Sequence, residues 1–470
     1  MNDTQATETS FEQANRYLGE EKISRLMLKF SVPCVLSLVV SALYNIIDQI
    51  FIGNSELGTL GNGATGVVFP LFVIAQAFAW WFGDGCAAYL NICQGQNNSE
   101  NAHKAIGTGI ILTLAASLVL IAIFFPLKYQ LLTLFGAREN NIGLAAEYCD
   151  IILAFFPAMM LMNMLSSVVR ADGSPGWAMA SMLSGAAVNI VLDAVFILVL
   201  KWGMAGAAWA TVTGQLISLS VSAFYLWRKT KTFKLGLKSF IPDFKEFAGA
   251  AKLGISSFIA QATIVIVATV GNNALAQYGE QSVYGAYSPI AIMGVENKVY
   301  ALVINLVVGI CLGCQPIISY NVGAKNTKRV KKLYFSILLC TLIIGVISTL
   351  IFEIFPAQVA GIFGEPGGEG VDPVTYWQFA VKTFRIYLML VSFTLFVKMT
   401  SIFFMSAGKP VFATVVSLIR DLICLIPLFL ILPVYMGVEG VLWAAPIADA
   451  VSALVTVILT VIWFKSLNKK

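Results

Sequence analysis

Twelve apolar runs divide this chain, and each reaches the roughly 20 residues that an α-helix needs to cross the hydrocarbon of a bilayer. They fall at 26–53, 60–92, 105–126, 144–169, 178–200, 205–227, 250–276, 284–320, 333–356, 378–406, 411–432 and 437–464. The chain has too little charge to cover the surface of a water-soluble fold. The chain is 58% hydrophobic and only 12% charged, where a soluble domain carries about 25% charged residues. The predicted fold class is therefore an all-α polytopic membrane protein, with the lipid bilayer as its surroundings.

The net charge is +5, from 30 Lys and Arg against 25 Asp and Glu. These basic residues lie in short loops between apolar runs, so no nucleic-acid partner is expected. They are also distributed unevenly. With the amino terminus inside, most fall in inner segments, above all at 228–252 and 322–332, while the outer loops hold Lys128, Arg138 and Lys201. This asymmetry predicts that both termini are cytoplasmic. Residues 1–21 are polar and acidic and lack a basic n-region, so no signal peptide is expected and the first run is read as a retained helix. The eight cysteines lie within or beside apolar runs, and the single histidine, His103, sits in a polar loop. Packed free thiols are the simpler reading, with no metal or redox site. No nucleophile set or phosphate loop is present either, so the chain is not read as an enzyme.

The stretch 228–249 separates two halves of similar length, and the halves repeat one another. Gln94-Gly95 follows the second run, and Asn321-Val322-Gly323-Ala324 follows the eighth. Gly203, Gly206, Trp209 and Ala210 open the sixth, as Gly437, Gly440, Trp443 and Ala444 open the twelfth. Asp172-Gly173-Ser174-Pro175 and Ala407-Gly408-Lys409-Pro410 close the fourth run of each half, all at a nearly constant offset. An even number of helices per half makes these parallel repeats, related by an axis along the membrane normal. The expected organisation is an N-terminal segment 1–25, a six-helix lobe 26–227, a linker 228–249, a second lobe 250–464 and a tail 465–470. Two lobes flanking a cleft are the architecture of an alternating-access transporter, here read as a monomer that handles small molecules.

A carboxylate at mid-bilayer costs roughly 2.5–3.5 kcal/mol, so it marks either a site or a pair. In the first run Ser37, Ser41, Tyr44, Asn45 and Asp48 recur at steps of three and four, on one helix face. Ser181, Gly185, Asn189 and Asp193 do the same in the fifth, and Thr211, Thr213 and Gln215 of the sixth offer further oxygens. Two carboxylates in one half repel when both are ionised, which favours uptake of a proton or a sodium ion. The alternative is hydrogen bonding between helices with a structural role only. In the eighth run Glu296 and Lys298 point to different faces. Glu296, with Tyr300 one turn on and Met293 one turn back, is a candidate for binding an organic cation, and Tyr44 is a candidate from the first lobe. A salt bridge from Glu296 to another helix is the alternative, and Lys398, Arg420, Asp421 and Asp449 are available partners. Pro33 lies inside the first run, where its missing N–H favours a bend in the helix that bears Asp48.

These features together resemble the multidrug and toxic compound extrusion (MATE) family, within the wider flippase-transporter superfamily, and most of all its MepA-like group. The resemblance rests on Pro33, Asp48 and Gly53, on the two loops Gln94-Gly95 and Asn321-Val322-Gly323-Ala324, on Ala171-Asp172-Gly173-Ser174-Pro175, and on Gly203-x-x-Gly206-x-x-Trp209-Ala210. It spans residues 20–465. It implies two six-helix lobes that rock, and export of lipophilic, mostly cationic drugs across the inner membrane of a prokaryote in exchange for H⁺ or Na⁺, without another cofactor. One branch of the family binds its cation through two aspartates, an asparagine and a threonine of the N-terminal lobe; Asp48, Asn189, Asp193 and Thr211 occupy those positions here. Another branch uses a glutamate of the seventh helix and an aspartate of the tenth. Gln261 and Lys398 stand there in this chain, so that second site is not expected. The major facilitator superfamily has similar repeats, but the loop 93–104 lacks its glycine–acidic–basic motif. The remaining alternative is a flippase or exporter of a lipid-linked precursor or endogenous metabolite. Its cleft would be basic to hold pyrophosphate, and Lys298, Lys398 and Arg420 keep it open.

Overall fold

A computed structural model describes residues 16–96, 98–285, 287–362 and 373–467. Residues 1–15 of the N-terminal segment and 468–470 of the tail lie outside them. Every regular element among the described residues is helical. The spans are built from α1 (Ile23–Gly53), α2 (Gly58–Gly95), α3 (Ser99–Leu134), α4 (Ile142–Ala154), α5 (Phe156–Ala171), α6 (Pro175–Asp193), α7 (Gly203–Arg228), α8 (Phe244–Glu280), α9 (Tyr287–Gly323), α10 (Thr327–Ile354), α11 (Pro373–Tyr387), α12 (Val391–Ser406), α13 (Pro410–Leu418), α14 (Ile426–Met436) and α15 (Val438–Leu467). Ten helices among the described residues are long and apolar enough to cross a membrane, and twelve spans result when each of two bent pairs counts as one. The chain is a multi-pass membrane protein.

The helices outrun the apolar runs that mark them in the sequence. α3 begins at Ser99 and ends at Leu134, where the apolar run is 105–126, and α8 begins at Phe244 instead of 250. Hydrophobicity stops at the edge of the hydrocarbon, but Lys, Glu and Gln continue a helix almost as well as Leu does. Two runs read as single helices are bent. α4 and α5 meet at 56° across Phe155, and α11 and α12 meet at 49°. The first bend has a local cause. Pro157 comes after Phe155 and Phe156, has no N–H to donate, and sits at the start of α5, where that loss is harmless. The second break holds neither proline nor glycine, and nothing in the sequence explains it.

Two further irregularities fall in matching places. α6 runs on into a π-helical segment, Ala194–Val199, and α13 into another, Ile419–Leu425. A π turn inserts one extra residue into the hydrogen-bond ladder and rotates the residues beyond it, which is why such turns recur at functional positions. Here one begins directly after Asp193, and the other contains Arg420 and Asp421.

The chain forms two compact units. The first comprises Met1–Gln261, Leu312–Val330 and Met405–Pro410, and the second Ala262–Cys311, Lys331–Phe404 and Val411–Lys470. In the first unit α2 is a spine between two apolar cores. One gathers Leu71, Phe124, Phe156 and Met160; the other gathers Phe82, Cys86, Met164 and Phe247. α6 and α7 cross where a Cβ on Gly185 would stand 2.5 Å from the Gly214 carbonyl oxygen. Only glycine permits that approach. The crossing is pinned one turn away, where the Ser181 hydroxyl donates to the Ser218 carbonyl at 2.6 Å and the Ser218 hydroxyl returns a bond to the Ser181 carbonyl at 2.8 Å. The second unit is held by an aromatic cluster: the Tyr334 ring lies 4.9 Å from Phe403 and 5.2 Å from Phe464, and Trp463 lies 5.6 Å from Phe403.

Candidate functional site

The α6–α7 crossing fixes the residues that come after it. One turn beyond Gly185 stands Asn189, and one turn beyond that, at the end of the regular helix, stands Asp193. α1 packs along α6 and brings Asp48 beside Asp193, close enough for the two carboxyl groups to interact directly. Asp48 is 9% exposed, Asn189 2% and Asp193 0%. Tyr44 of α1 and Tyr148 of α4 lie in the field of both aspartates, and Tyr148 is also next to Thr211 of α7. The four residues expected at a cation site thus converge in the first unit, together with two tyrosines.

The polar atoms of this cluster are not consumed by the fold. Both oxygens of Asp193, both amide atoms of Asn189 and Oδ1 of Asp48 are buried without a hydrogen-bond partner. Burying polar atoms in that state is costly, and a proton shared between the two carboxyl groups or a bound cation offsets that cost. Nearby polar groups of α1 and α7 are already satisfied. The Ser37 hydroxyl donates to the Pro33 carbonyl at 2.7 Å, Asn45 donates to the Ser41 carbonyl at 2.7 Å, and the Thr213 hydroxyl to the Trp209 carbonyl at 2.7 Å. Neither Asp48 nor Asp193 forms an ion pair among the described residues. A compact oxygen-lined cluster with two acids and no fixed cation can hold a small monovalent cation or a proton.

The second unit places its buried charges differently. Arg420 pairs with Asp449 and with Asp421, each at 2.6 Å, and Lys398 pairs with Asp421 at 2.7 Å. Two aspartates thus meet two built-in cations. Glu296 is a further acid. It is 0% exposed, its oxygens have no hydrogen-bond partner, and Arg420 and Asp449 are its charged neighbours. Tyr300 stands with its ring 6.0 Å from the Arg420 guanidinium, its hydroxyl unpartnered, and Met293 is buried one turn back. Glu296, Tyr300 and Met293 therefore share one unit, whereas Tyr44 belongs to the aspartate cluster of the other. Pro33 sits inside α1, which runs unbroken through it.

Asp84 of α2 is a buried acid that sequence reasoning did not single out. Its carboxylate accepts from the Ser167 hydroxyl at 2.9 Å and the Ser257 hydroxyl at 3.0 Å, and Arg170 stands at 3.5 Å. Its backbone carbonyl accepts from Gln315 at 3.3 Å. The signal is there to be read, since Asp84 is a carboxylate inside an apolar run and Arg170 closes another. Among the described residues no three His, Cys, Asp or Glu side chains gather as a metal site.

Residues 33–195 and 281–431 match the MatE family. The chain belongs to that family. The multidrug export protein MepA of Staphylococcus aureus (strain MSSA476) is 24% identical over 445 residues, 94% of either chain. MepA of Staphylococcus haemolyticus (strain JCSC1435) is 26% identical over 444 residues, 93% of either chain. The crystal structure of MATE in complex with MaL6 shares the fold, with a TM-score of 0.88 at 23% identity, over 97% of this chain and 99% of that one. The MATE fold expected from the sequence is the fold found. The first MatE stretch holds Pro33, Asp48, Asn189 and Asp193 and stops two residues past the last of them. The second holds Met293, Glu296, Tyr300, Arg420 and Asp421, while Thr211 and Asp449 fall outside both.

Proposed function

We propose that this chain exports lipophilic, mostly cationic drugs or toxic compounds from the cytoplasm by alternating access, driven by H⁺ or Na⁺ moving the other way. In this reading it works as a monomer in the inner membrane of a prokaryote, with both termini cytoplasmic. The observation that carries the proposal is the buried pair Asp48–Asp193, which has no basic partner among the described residues and stands beside an amide whose atoms are unpartnered. Such a pair is stabilised when a proton or a sodium ion offsets the mutual repulsion. Asn189 and Thr211 then supply neutral oxygens, and the two carboxylates supply charge. Export of drugs is supported by the relatives, which carry the name multidrug export protein over 94% of this chain. On the substrate side, the reading assigns Glu296, Tyr300 and Met293 of the second unit, and separately Tyr44 of the first, because acidic, aromatic and polarizable side chains suit a lipophilic cation.

The test is transport. Purified protein in vesicles is loaded with ethidium, and efflux is followed under an imposed pH gradient and, separately, a Na⁺ gradient. Wild type should respond to one of them. Asp48→Asn and Asp193→Asn keep side-chain size and remove charge, so both should fold and lose gradient-driven export. Full export by Asp48→Asn would sink the assignment. Flipping of a lipid-linked pyrophosphate is the weaker reading, because two of the three cations it would use, Arg420 and Lys398, are already engaged by Asp449 and Asp421, which leaves Lys298.

A further inference from the structure

On the second unit α10, α12 and α15 enclose an apolar groove of about 610 Å³. α10 lines it with Phe335, Leu338 and Leu342, α12 with Phe396, and α15 with Ala453 and Val457. The hydroxyls at its edge are already occupied: Thr460 donates to the Thr456 carbonyl at 2.8 Å, and Tyr334 meets Thr400 at 3.4 Å. Nothing in the groove recruits a polar ligand. Its outer walls are exposed, Phe335 by 58% and Leu454 by 64%, and in a membrane span that exposure faces lipid.

The groove has one charged end. Along α10 the steps Lys331, Phe335, Leu338, Leu342 keep to one helix face, so the lysine stands in line with the lining residues. Lys331 Nζ lies 6.0 Å from the centre of the Phe464 ring, which closes the groove from α15. Lys332 and Lys465 are exposed at the same end. Neither helix adds an acid there, since 327–352 and 450–467 contain no Asp or Glu. From Ala450 to Phe464 the groove runs along α15 for about 21 Å at the helical rise of 1.5 Å per residue. One leaflet of a hydrocarbon core is about 15 Å deep. An apolar channel somewhat longer than one leaflet is deep, with lysines at one end and no acid on the stretches of α10 and α15 that line it, matches a single lipid chain.

We propose that this groove binds an acyl chain of an anionic phospholipid, with its phosphate held by Lys331 and Lys465 and steadied by Lys332. Apolar burial holds the chain, and charge selects the headgroup. Native mass spectrometry of the full-length protein in detergent, titrated with dioleoylphosphatidylglycerol or dioleoylphosphatidylcholine, tests this directly. Wild type retains the glycerol lipid in preference to the choline lipid. Lys331→Gln and Lys465→Gln each weaken retention of the glycerol lipid about five-fold, the effect of one basic residue at a membrane surface, and leave the choline lipid unchanged. Ala453→Trp fills the groove and reduces both lipids; if that variant fails to fold, Leu338→Trp does the same from the opposite wall. Equal retention of the two lipids by wild type overturns the proposal, as does undiminished retention in the lysine variants or in the folded groove-filling variant. A dimer that Ala453→Trp abolishes assigns the groove to a second copy of the chain and overturns it too.

Discussion

The carboxylate of Asp172, in the turn between α5 and α6, accepts from the Tyr225 hydroxyl at 2.6 Å, from the backbone N–H of Lys231 at 2.8 Å and of Thr232 at 2.9 Å, and from the Thr232 hydroxyl. Burial pushes its carboxyl above the usual carboxylate range, and these donors pull it back. One side chain thereby fastens the chain after α7 to the start of α6. Asp172→Ala leaves several buried donors without an acceptor, and the expected cost is about 3 kcal/mol; a thermal melt in detergent and protease cleavage near 229–236 read it out. A loss too small to measure would mean that water replaces the carboxylate at no cost. Glu296 poses a different question, because Arg420 is near it but makes no hydrogen bond to it. If Glu296 selects cations, Glu296→Gln weakens binding of cationic dyes and spares neutral ones, as fluorescence titration would record. Equal losses for both would make it a structural counter-charge to Arg420. Asp48 and Asp193 are legible in the sequence because a carboxylate in an apolar run has few bland explanations. Asp84 carries the same signal, yet its partners come from three other helices and no spacing in the chain reveals them. Tyr148 is not legible, since the place of its ring depends on how α4 meets α5 across Phe155.

At the scale of the helix, small residues decide where side chains arrive. A Cβ on Gly185 meets the backbone of Gly214, which no rotamer change relieves, and also the Ser218 hydroxyl at 2.0 Å. Gly185→Ala therefore pushes α6 away from α7 and shifts Asn189 and Asp193 with it. Overpacking of this kind costs about 1–3 kcal/mol. Gly185→Ala should melt lower and transport less, and adding Ser218→Ala should restore only part of either, because the carbonyl remains. Full recovery in the double variant would locate the conflict in the serine alone. The repeat motifs have a similar origin. A Cβ on Gly95 would lie 2.1 Å from the Tyr320 carbonyl oxygen and one on Gly323 2.2 Å from that of Ile92, while Gln94 donates to the Thr232 hydroxyl at 2.6 Å. The loops after the second and eighth runs look alike because each supplies a glycine to one crossing. Span number, order and most boundaries are readable from apolar length. The π segments after Asp193 and around Arg420 are not, because a π turn changes hydrogen-bond register without changing composition.

Across the whole molecule, parallel repeats can be read from motif order, whereas compactness cannot: the first unit takes in the ends of α8, α9 and α12, and no sequence boundary marks where packing is dense. α1 links two parts of that unit. Near its start Phe30 is fully buried and the Ser31 hydroxyl lies 3.5 Å from the Cys314 thiol of α9. Near its end Asp48 faces Asp193. Pro33 stands between these anchors and deprives the Lys29 carbonyl of its helical donor, so the helix is softest there although it is continuous. Under the proposed coupling, loading a cation at Asp48 changes how the far part of α1 is pulled toward α6, and Pro33 lets that part move while the start stays fixed. Drug and cation then favour different arrangements, and by linkage each weakens the other's binding by the same factor. Drug affinity should therefore fall as pH drops or as Na⁺ rises. Pro33→Ala, which restores the missing hydrogen bond, should reduce this dependence more than it reduces affinity itself. Dye binding titrated across pH and Na⁺ on both proteins decides the matter. A wild type whose affinity ignores both cations excludes competition, and a Pro33→Ala variant with unchanged dependence moves the hinge away from α1.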